Sequence, residues 1–156
     1  MNSKKKLAIL FVCTGNICRS PTAEGVLRHQ LTAMGLADRI HVDSAGVQGW
    51  HAGEAPDERS QDHALKRGYE LGDQRARALR TDDFERFDLL IAMDAGHLRE
   101  LRRRCPAALQ HKISLLPGEI EVPDPYYGST DGFERVLDLL EPGCERLPQI
   151  AASRLA

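Results

Sequence analysis

The sequence predicts an α/β fold: one domain with a four-stranded parallel sheet that is flanked by helices on both faces. Four short apolar runs alternate with segments in which apolar residues recur at helical spacing, a rhythm typical of βαβ units. A glycine-containing loop follows the first run directly, as in doubly wound sheets that bind phosphate after the first strand. The chain has 156 residues, so we expect a single domain over 1–156, with residues 1–5 flexible.

Each predicted strand is a short apolar run bounded by polar or turn residues. The strands are predicted over 7–12, 40–45, 88–92 and 112–116. The helices are predicted over about 21–35, 57–68, 95–104 and 131–150. Pro142 and Gly143 are expected to break or kink the last helix, because proline removes a hydrogen bond from a helix interior. The segments 46–56 and 117–130 contain several glycines or prolines and are predicted to be surface loops.

The loop from Cys13 to Pro21 has the residues of an anion-binding site with its own nucleophile. Backbone N–H groups and the positive end of a helix dipole converge where a strand passes into a helix, at the carboxyl edge of the sheet. Such a field favours the nucleophilic thiolate of a cysteine, which Cys13 would supply. Arg19 can grip two oxygens of a phosphate through its planar guanidinium.

Other residues of the loop fit the same interpretation. Gly15 permits a close backbone turn, and Asn16 tolerates the left-handed conformation. Ser20 can donate to the thiolate or cap the helix, while Pro21 suits the first helical position. The alternative is a structural turn, since a cysteine followed by arginine and serine at this spacing also occurs by chance. The strand before the loop and the helix after it favour the functional interpretation.

Two motifs together resemble the low-molecular-weight protein tyrosine phosphatase family. One is the loop from Cys13 to Pro21, and the other is Asp124-Pro125-Tyr126-Tyr127. The similarity spans nearly the whole chain and includes Ser44-Ala45-Gly46, Trp50, Asp57-Glu58-Arg59, Ala76-Arg77 and Ala92-Met93-Asp94. The resemblance implies an enzyme that hydrolyses phosphotyrosine and small aryl phosphates through a cysteinyl-phosphate intermediate. Its partners would be a phosphotyrosine-containing protein and, as product, inorganic phosphate.

The resemblance also implies the catalytic roles. Cys13 would attack phosphorus, Arg19 would hold the equatorial oxygens, and Asp124 would protonate the leaving oxygen and then activate water. The residues expected to bind phosphate are Thr14, Gly15, Asn16, Ile17, Cys18 and Arg19. Pro123 and Pro125 restrict the backbone around Asp124, although a proline-framed turn with a solvated carboxylate is the alternative.

Support for the loop is expected from Ser20, Ser44 and Gln74. Many family members have histidine where this chain has Gln74, and a glutamine amide can still bridge Asn16 and Ser44. The substrate pocket is expected to contain Ile17, Trp50, Tyr126 and Tyr127, because flat rings would sandwich a phosphotyrosine ring. Trp50 could instead anchor its loop on the core. His51 beside it either reaches the substrate or is a surface histidine.

Three other functions compete with this interpretation. Family members that act on phosphoarginine typically carry threonine where Ile17 stands, and the apolar side chain here favours an aryl phosphate. Arsenate reductases of the same fold use two further cysteines before the third strand, and residues 69–92 contain none. A flavodoxin-like binding module is the alternative that is not an enzyme, but it gives no reason for Cys13 and Arg19.

The cysteines and histidines do not indicate a metal site or a disulfide framework. Cys13 and Cys18 are not a C-x-x-C pair, and no H-x-x-x-H pair occurs, so no metal and no cofactor are expected. Cys105 and Cys144 are interpreted as ordinary thiols. Cys18 either packs the loop or protects an oxidised Cys13 as a reversible disulfide, and the family resemblance favours protection.

Charge and hydropathy exclude several classes of partner. The chain has 21 basic and 23 acidic residues, so a nucleic acid is not expected. No apolar run is long enough to span a bilayer, and the short run after the N-terminal lysines lacks a cleavage site. We therefore expect a cytoplasmic protein without a membrane partner, present as a monomer or weak dimer.

Overall fold

The computed structural model describes residues 6–125 and 130–155. Residues 1–5, Tyr126 and Tyr127 lie outside the described residues, so the expectations for them stay predictions. The chain forms a four-stranded sheet in which every strand pair is parallel, with the order β2-β1-β3-β4. The strands are β1 (Leu7–Cys13), β2 (Ile40–Gly46), β3 (Leu89–Ala92) and β4 (Ile113–Leu115). The predicted fold class is confirmed.

β1 is a central strand of the sheet, and its two faces belong to different cores. It pairs with β2 from Leu7 opposite Ile40 and with β3 from Ile9 opposite Leu89. The strands β2 and β3 therefore lie on opposite sides of β1. The carboxyl end of such a strand is the usual position of a ligand site in an open α/β sheet. Alternate residues of β1 enter two separate cores, and Cys13 belongs to the face that carries Ile9.

Helices cover both faces of the sheet. The helices are α1 (Arg19–Ala33), α2 (Glu58–Lys66), α3 (Asp83–Arg86), α4 (Ala95–Arg104), a 3-10 helix (Ala107–Lys112) and α5 (Thr130–Leu155). Buried side chains of α1 and α5 share a core with one face of β1, and those of α3 and α4 share a core with the other face. The short α3 and the 3-10 helix were not predicted, because four to six residues carry too little periodicity to be recognised.

Helix α1 begins earlier than predicted, at Arg19. Pro21 is therefore the third helical residue and not the first. It still costs no hydrogen bond, because the first intrahelical acceptor is the carbonyl of Cys18, which accepts from the N–H of Thr22. Because the helix starts earlier, Arg19 lies in its first turn.

Pro142 does not break the last helix, because α5 continues through Pro142 and Pro148 to Leu155, and a kink at Pro142 stays a prediction. The helix is held by its buried apolar side, which includes Leu140 and Leu147. Gly143 lets the helix approach the sheet closely, since a Cβ at this position would lie 2.5 Å from Cδ2 of Leu116. Packing therefore outweighs the loss of one backbone hydrogen bond.

In the part of the chain that the structure describes, no helix combines the length and apolar character needed to cross a membrane. The predicted loop 46–56 contains turns but no helix or strand beyond Gly46. It lies beside the carboxyl end of β1, because the N–H groups of Val47 and Gln48 donate to the carbonyls of Cys13 and Thr14.

Candidate active site

The loop between β1 and α1 lies at the carboxyl edge of the sheet and forms the floor of a cavity of about 380 Å³. The cavity is lined by Cys13, Thr14, Gly15, Ile17, Cys18, Arg19, Trp50, His51 and Asp124. All but His51 belong to the predicted site. The structure thus brings the predicted nucleophile, Cys13, and the guanidinium of Arg19 into one cavity with Asp124, which lies 111 residues after Cys13 in the sequence.

The backbone of the loop is arranged to receive an anion. Three of its carbonyls are already bonded: Cys13, Thr14 and Ile17 accept from the N–H groups of Val47, Gln48 and Asp57. Among the described residues, the N–H groups of Thr14 to Ile17 donate to no backbone or side-chain acceptor. Asn16 adopts the left-handed conformation that was expected, with a φ of 61°. A loop with bonded carbonyls and uncommitted amides can bind three oxygens of a phosphate.

The sulfur of Cys13 is buried and lies 2.9 Å from Oγ of Ser20. The same hydroxyl oxygen accepts from Nδ2 of Asn16 at 2.8 Å, so its own hydrogen is available to the sulfur. A hydroxyl that donates to sulfur stabilises a thiolate. This contact fits the first of the two roles predicted for Ser20, and the helix has no side-chain cap at its start.

Asn16 is the centre of the buried hydrogen bonds that support the loop. Nδ2 donates to Oγ of Ser44 at 2.9 Å, and Oδ1 accepts from the N–H of Arg77 at 2.9 Å. Ser44 in turn donates to Oε1 of Glu24 at 2.7 Å. Gln74 does not bridge Asn16 and Ser44. Its Nε2 donates instead to the carbonyl of Pro21 at 2.8 Å, and its Oε1 has no partner among the described residues.

Glu24 takes the place in this network that the sequence assigned to Gln74. Its carboxyl group is buried on the second turn of α1 and also pairs with Arg28. Burial raises its pKa to about 7, against the opposing effects of Arg28 and Ser44. The signal in the sequence was a glutamate one turn after the loop, on the same helix face as Ser20.

Arg19 is held by groups from distant parts of the chain. Nη1 donates to Oδ2 of Asp94 at 2.8 Å and to the carbonyl of Val122 at 2.9 Å. Nη2 lies 3.5 Å from Nε2 of His97 and 3.8 Å from Oδ2 of Asp124. The guanidinium is almost completely buried, so its orientation is determined by these contacts.

Asp94 and His97 are functional-site residues that the sequence analysis did not assign. Asp94 follows β3 and caps α4, because its Oδ1 accepts from the N–H of His97 at 2.9 Å. Burial opposes ionisation of Asp94, but this N–H and Arg19 outweigh it and lower the pKa of the carboxyl. An aspartate at the carboxyl end of a parallel strand was the available signal.

Asp124 lies at the mouth of the cavity, with half of its side chain exposed. The segment before it is fixed by two backbone contacts of Val122, which donates to the carbonyl of Met93 at 2.7 Å and accepts from Arg19. The carboxyl group is therefore close to Arg19 and open to solvent. A group in this position can exchange protons with water and with a bound leaving group.

Trp50 and His51 form the outer wall of the cavity. The Trp50 side chain is 71% exposed, so it does not anchor its loop on the core. His51 packs directly on the phosphate-binding loop, where a Cβ on Gly15 would lie 2.8 Å from its Cδ2, and its Nδ1 lies 3.1 Å from Oε1 of Glu54. Glycine at position 15 is needed for this close approach.

Cys18 lies on the inner side of the loop, and burial together with Asp57 raises its pKa to about 12. Its thiol is therefore protonated at neutral pH. Cys105 and Cys144 are also buried free thiols. Between residues 6–125 and 130–155, no three histidine, cysteine or acidic side chains are grouped so that they could hold a metal ion.

A cysteine, a buried arginine, a half-exposed carboxyl group and loop amides without protein partners among the described residues line one cavity, an arrangement suited to hydrolysis of phosphate monoesters. The profile of the family "Low molecular weight phosphotyrosine protein phosphatase" matches residues 8–154. The low molecular weight protein-tyrosine-phosphatase of Streptomyces coelicolor is 46% identical over 142 residues, which cover 85% of this chain and 86% of that protein. The low molecular weight protein-tyrosine-phosphatase YfkJ of Bacillus subtilis is 40% identical over 147 residues, covering 90% and 93%.

A solved structure agrees with these sequence comparisons. The crystal structure of a protein tyrosine phosphatase from Entamoeba histolytica, with Hepes in the active site, superposes with a TM-score of 0.91 and 38% identity. The superposition covers 97% of this chain and 100% of the Entamoeba chain. The chain therefore belongs to the low molecular weight phosphotyrosine protein phosphatase family, and the resemblance inferred from its motifs is confirmed.

Proposed function

We propose that this chain hydrolyses phosphotyrosine in proteins, and small aryl phosphates, through a phosphorylated Cys13. The observation that carries the proposal is the position of the Cys13 sulfur. Cys13 lines the same cavity as Arg19 and Asp124, and it directly precedes the loop residues Thr14 to Ile17, whose amides have no protein partner among the described residues. The names of the related proteins support a protein-tyrosine phosphatase.

In the first step, the thiolate of Cys13 attacks phosphorus in line with the bond to the tyrosine oxygen. The amides of the loop and Arg19 hold the three equatorial oxygens, whose charge grows in the transition state. Asp124, in its protonated form, gives its proton to the leaving phenolate. The products of this step are a tyrosine hydroxyl and a phosphorylated Cys13.

In the second step, water attacks the phosphorylated cysteine. Asp124 is now a carboxylate and removes a proton from this water, while sulfur leaves as the thiolate. The hydroxyl of Ser20 stabilises that thiolate, because it is 2.9 Å from the sulfur and its oxygen is occupied by Asn16. Inorganic phosphate leaves, and the loop returns to its starting state.

The walls of the cavity support an aryl substrate. Ile17 and the exposed ring of Trp50 present apolar surface beside the loop, where a phenyl ring can stack. A phosphoarginine phosphatase would be favoured by a polar group in place of Ile17. Arsenate reduction would need two further thiols near Cys13, but Cys105 packs in the opposite core, and Cys144 is fully buried with its sulfur directed at the carbonyl of Ala23.

The proposal is tested by hydrolysis of nitrophenyl phosphate and phenyl phosphate. Cys13→Ser and Arg19→Ala should lose nearly all activity, and Cys105→Ser serves as the control for loss of a thiol. Asp124→Ala should lose more activity on phenyl phosphate than on nitrophenyl phosphate, because a poorer leaving group depends more on the acid. Glu119→Gln is the matched carboxylate control. Equal activity of Cys13→Ser and the wild type would refute the proposal.

We also propose that Cys18 protects the nucleophile from oxidation. Peroxide would oxidise the Cys13 thiolate to a sulfenic acid, and Cys18 would displace water from it to form a disulfide. The presence of both cysteines in the lining of the same cavity supports this. Peroxide should inactivate both the wild type and Cys18→Ser. Dithiothreitol should then restore the activity of the wild type but not that of Cys18→Ser. Equal recovery of both, with Cys144→Ser as control, would contradict the role of Cys18.

We further propose a cytoplasmic enzyme that is a monomer or weak dimer. The small number of exposed large apolar side chains among the described residues, Met34, Trp50 and Leu65, supports weak self-association. Sedimentation at micromolar and millimolar concentration tests the oligomeric state, and fractionation of cells that produce the chain tests its location.

A further inference from the structure

His97 is a buried side chain beneath the phosphate-binding loop that the mechanism above does not use. It is the third residue of α4, and only 4% of its surface is exposed. Its Nε2 lies 2.8 Å from Oγ1 of Thr14 and 3.5 Å from Nη2 of Arg19. One ring nitrogen therefore contacts two residues of the cavity.

The protonation state of His97 follows from its surroundings. Burial and the charge of Arg19 lower its pKa to about 4, although Asp94 and Asp124 oppose this, so the imidazole is neutral at physiological pH. A guanidinium can only donate hydrogen bonds, so the Nε2 that faces Arg19 must be the acceptor. The hydroxyl of Thr14 then donates to Nε2, and the ring hydrogen is on Nδ1.

The second ring nitrogen points back to Asp94. Nδ1 lies 3.2 Å from Oδ1 of Asp94, but the geometry is poor for a hydrogen bond, and Nδ1 has no other partner among the described residues. We take Asp94 as an electrostatic neighbour of this N–H and not as its full acceptor, because Oδ1 already accepts from the backbone of His97. The buried ring is thus held mainly through Nε2.

The contacts of Arg19 show what His97 can do. Asp94 and the carbonyl of Val122 fix Nη1, whereas the contacts of Nη2 with His97 and Asp124, at 3.5 Å and 3.8 Å, are longer. The imidazole occupies the inner side of Nη2 and prevents the guanidinium from moving away from the cavity. The same ring fixes the side chain of Thr14, whose backbone amide is one of the uncommitted N–H groups of the loop.

We propose that His97 is a positioning residue for phosphoryl transfer, which as a neutral acceptor fixes the Thr14 side chain and the inner edge of Arg19. The proposal rests on the role of Arg19 proposed above. Because the contacts between Arg19 and the phosphoryl oxygens are strongest in the transition state, loss of this positioning lowers kcat more than it raises KM.

The test compares variants that keep or remove the acceptor. His97→Gln can place an amide oxygen near the position of Nε2, while His97→Leu has a similar volume and no acceptor. With nitrophenyl phosphate, His97→Leu should lower kcat about tenfold or more with KM changed less than about threefold. His97→Gln should restore kcat to within about threefold of the wild type. Affinity for vanadate should fall in parallel with kcat.

Variants of Thr14 provide an independent test in which the buried ring of His97 is not replaced. Thr14→Val removes the hydroxyl at nearly constant shape and should lower kcat about as much as His97→Leu, while Thr14→Ser should stay near the wild type. The double variant Thr14→Val with His97→Leu should be no worse than the more severe single variant. If His97→Leu fails to fold by circular dichroism, the Thr14 pair decides.

Three results would overturn the proposal. They are equal loss in His97→Gln and His97→Leu, wild-type kcat in Thr14→Val, and losses that multiply in the double variant. Each of these leaves the difference between the wild type and Cys13→Ser intact. Failure of the proposed function would instead remove that difference, so the two failures can be told apart.

Discussion

Two groups of side chains hold the phosphate-binding loop, and they differ in charge and in origin. We call Ser20, Ser44 and Glu24, which surround Asn16, the Asn16 support. We call Asp94, His97 and the carbonyl of Val122, which surround the guanidinium, the Arg19 support. The first is a chain of hydrogen bonds between mostly neutral groups. The second holds a buried cation with one ionised carboxylate and two neutral acceptors.

The difference indicates two tasks. The Asn16 support fixes the shape of the backbone, including the positive φ of Asn16, and orients the hydroxyl of Ser20 towards the sulfur. In the proposed mechanism, the Arg19 support orients the positive charge that stabilises the oxygens of the transition state. Substitutions in the Asn16 support should lower stability and activity together. Substitutions in the Arg19 support should lower mainly kcat.

The largest loss of kcat is expected when the geometry of the cation at position 19 is changed but its charge is kept. Arg19→Lys cannot donate to Asp94 and to two phosphoryl oxygens in one plane, so kcat should fall about a hundredfold to ten-thousandfold. Arg28→Lys is the matched control, because Arg28 lies on the same helix and pairs with Glu24 outside the cavity. Steady-state kinetics measure the effect. A loss below about fivefold would show that charge alone suffices.

The second-largest loss of kcat is expected when the negative charge of the Arg19 support is removed. Asp94→Asn keeps an N-cap for α4 and an acceptor for Arg19 but removes the negative charge. We expect kcat to fall about tenfold to fiftyfold. The free energy of unfolding should change less than it does in Asn16→Ala, because an asparagine oxygen still accepts from Arg19. Urea unfolding and kinetics on the same samples measure both. Equal losses in stability and kcat would erase the distinction between the two supports.

A smaller effect on kcat, but a larger one on stability, is expected from the Asn16 support. Asn16→Ala leaves Ser44 and the N–H of Arg77 without their buried partner and places alanine at a positive φ. The free energy of unfolding should fall by about 2–3 kcal/mol. Asn16→Gly separates the two causes, because it relieves the backbone and still lacks the amide. If glycine restores full stability, the hydrogen bonds contribute nothing.

The smallest effect is a pH dependence of stability that has opposite signs in the two supports. Glu24, which faces Arg28, Asp43 and Arg77, has a pKa of about 7 in the folded protein against an ordinary 4.5. It binds its proton more tightly when folded, so its contribution to stability is complete below pH 4.5 and is lost as the pH rises towards 7. His97, which faces Arg19, Asp94 and Asp124, has a pKa of about 4 against 6.5, and its contribution is lost as the pH falls from 6.5.

The two pH dependences are measured as the difference in the free energy of unfolding between each variant and the wild type, from pH 4.5 to pH 7.5. The stability of Glu24→Gln relative to the wild type should increase by about 1–3 kcal/mol as the pH rises. That of His97→Gln relative to the wild type should decrease by a similar amount over the same interval. Parallel slopes would contradict the different environments of the two supports.

The same comparison explains what the sequence could predict. Cys13, Asn16, Arg19 and Ser20 lie within eight residues, between a strand and a helix, and local pattern was enough to identify them. The partners of Arg19 come from the end of β3 and from the segment before Asp124, which only the strand order brings together. Position 97 had no local pattern to distinguish it from a surface residue of an arginine-rich helix.

Two differences from prediction arose where packing overrode a local rule. Gln74 was expected to replace a histidine one for one, but its amide turns to the carbonyl of Pro21 and a buried glutamate on α1 supports Ser44. No break occurs at Pro142 because the apolar face of α5 continues past it along the sheet. In both cases the competing interaction is distant in sequence and close in space.

The central claim is that the Cys13 sulfur carries the phosphoryl group during the reaction. The most direct measurement is rapid acid quenching of Asp124→Asn during turnover of nitrophenyl phosphate, followed by mass spectrometry of the peptide that contains Cys13. We expect one phosphoryl group on that peptide, and none when Cys13→Ser is added to Asp124→Asn. A phosphoryl group that persists in the double variant, or none in Asp124→Asn during a burst of nitrophenol, would contradict the account.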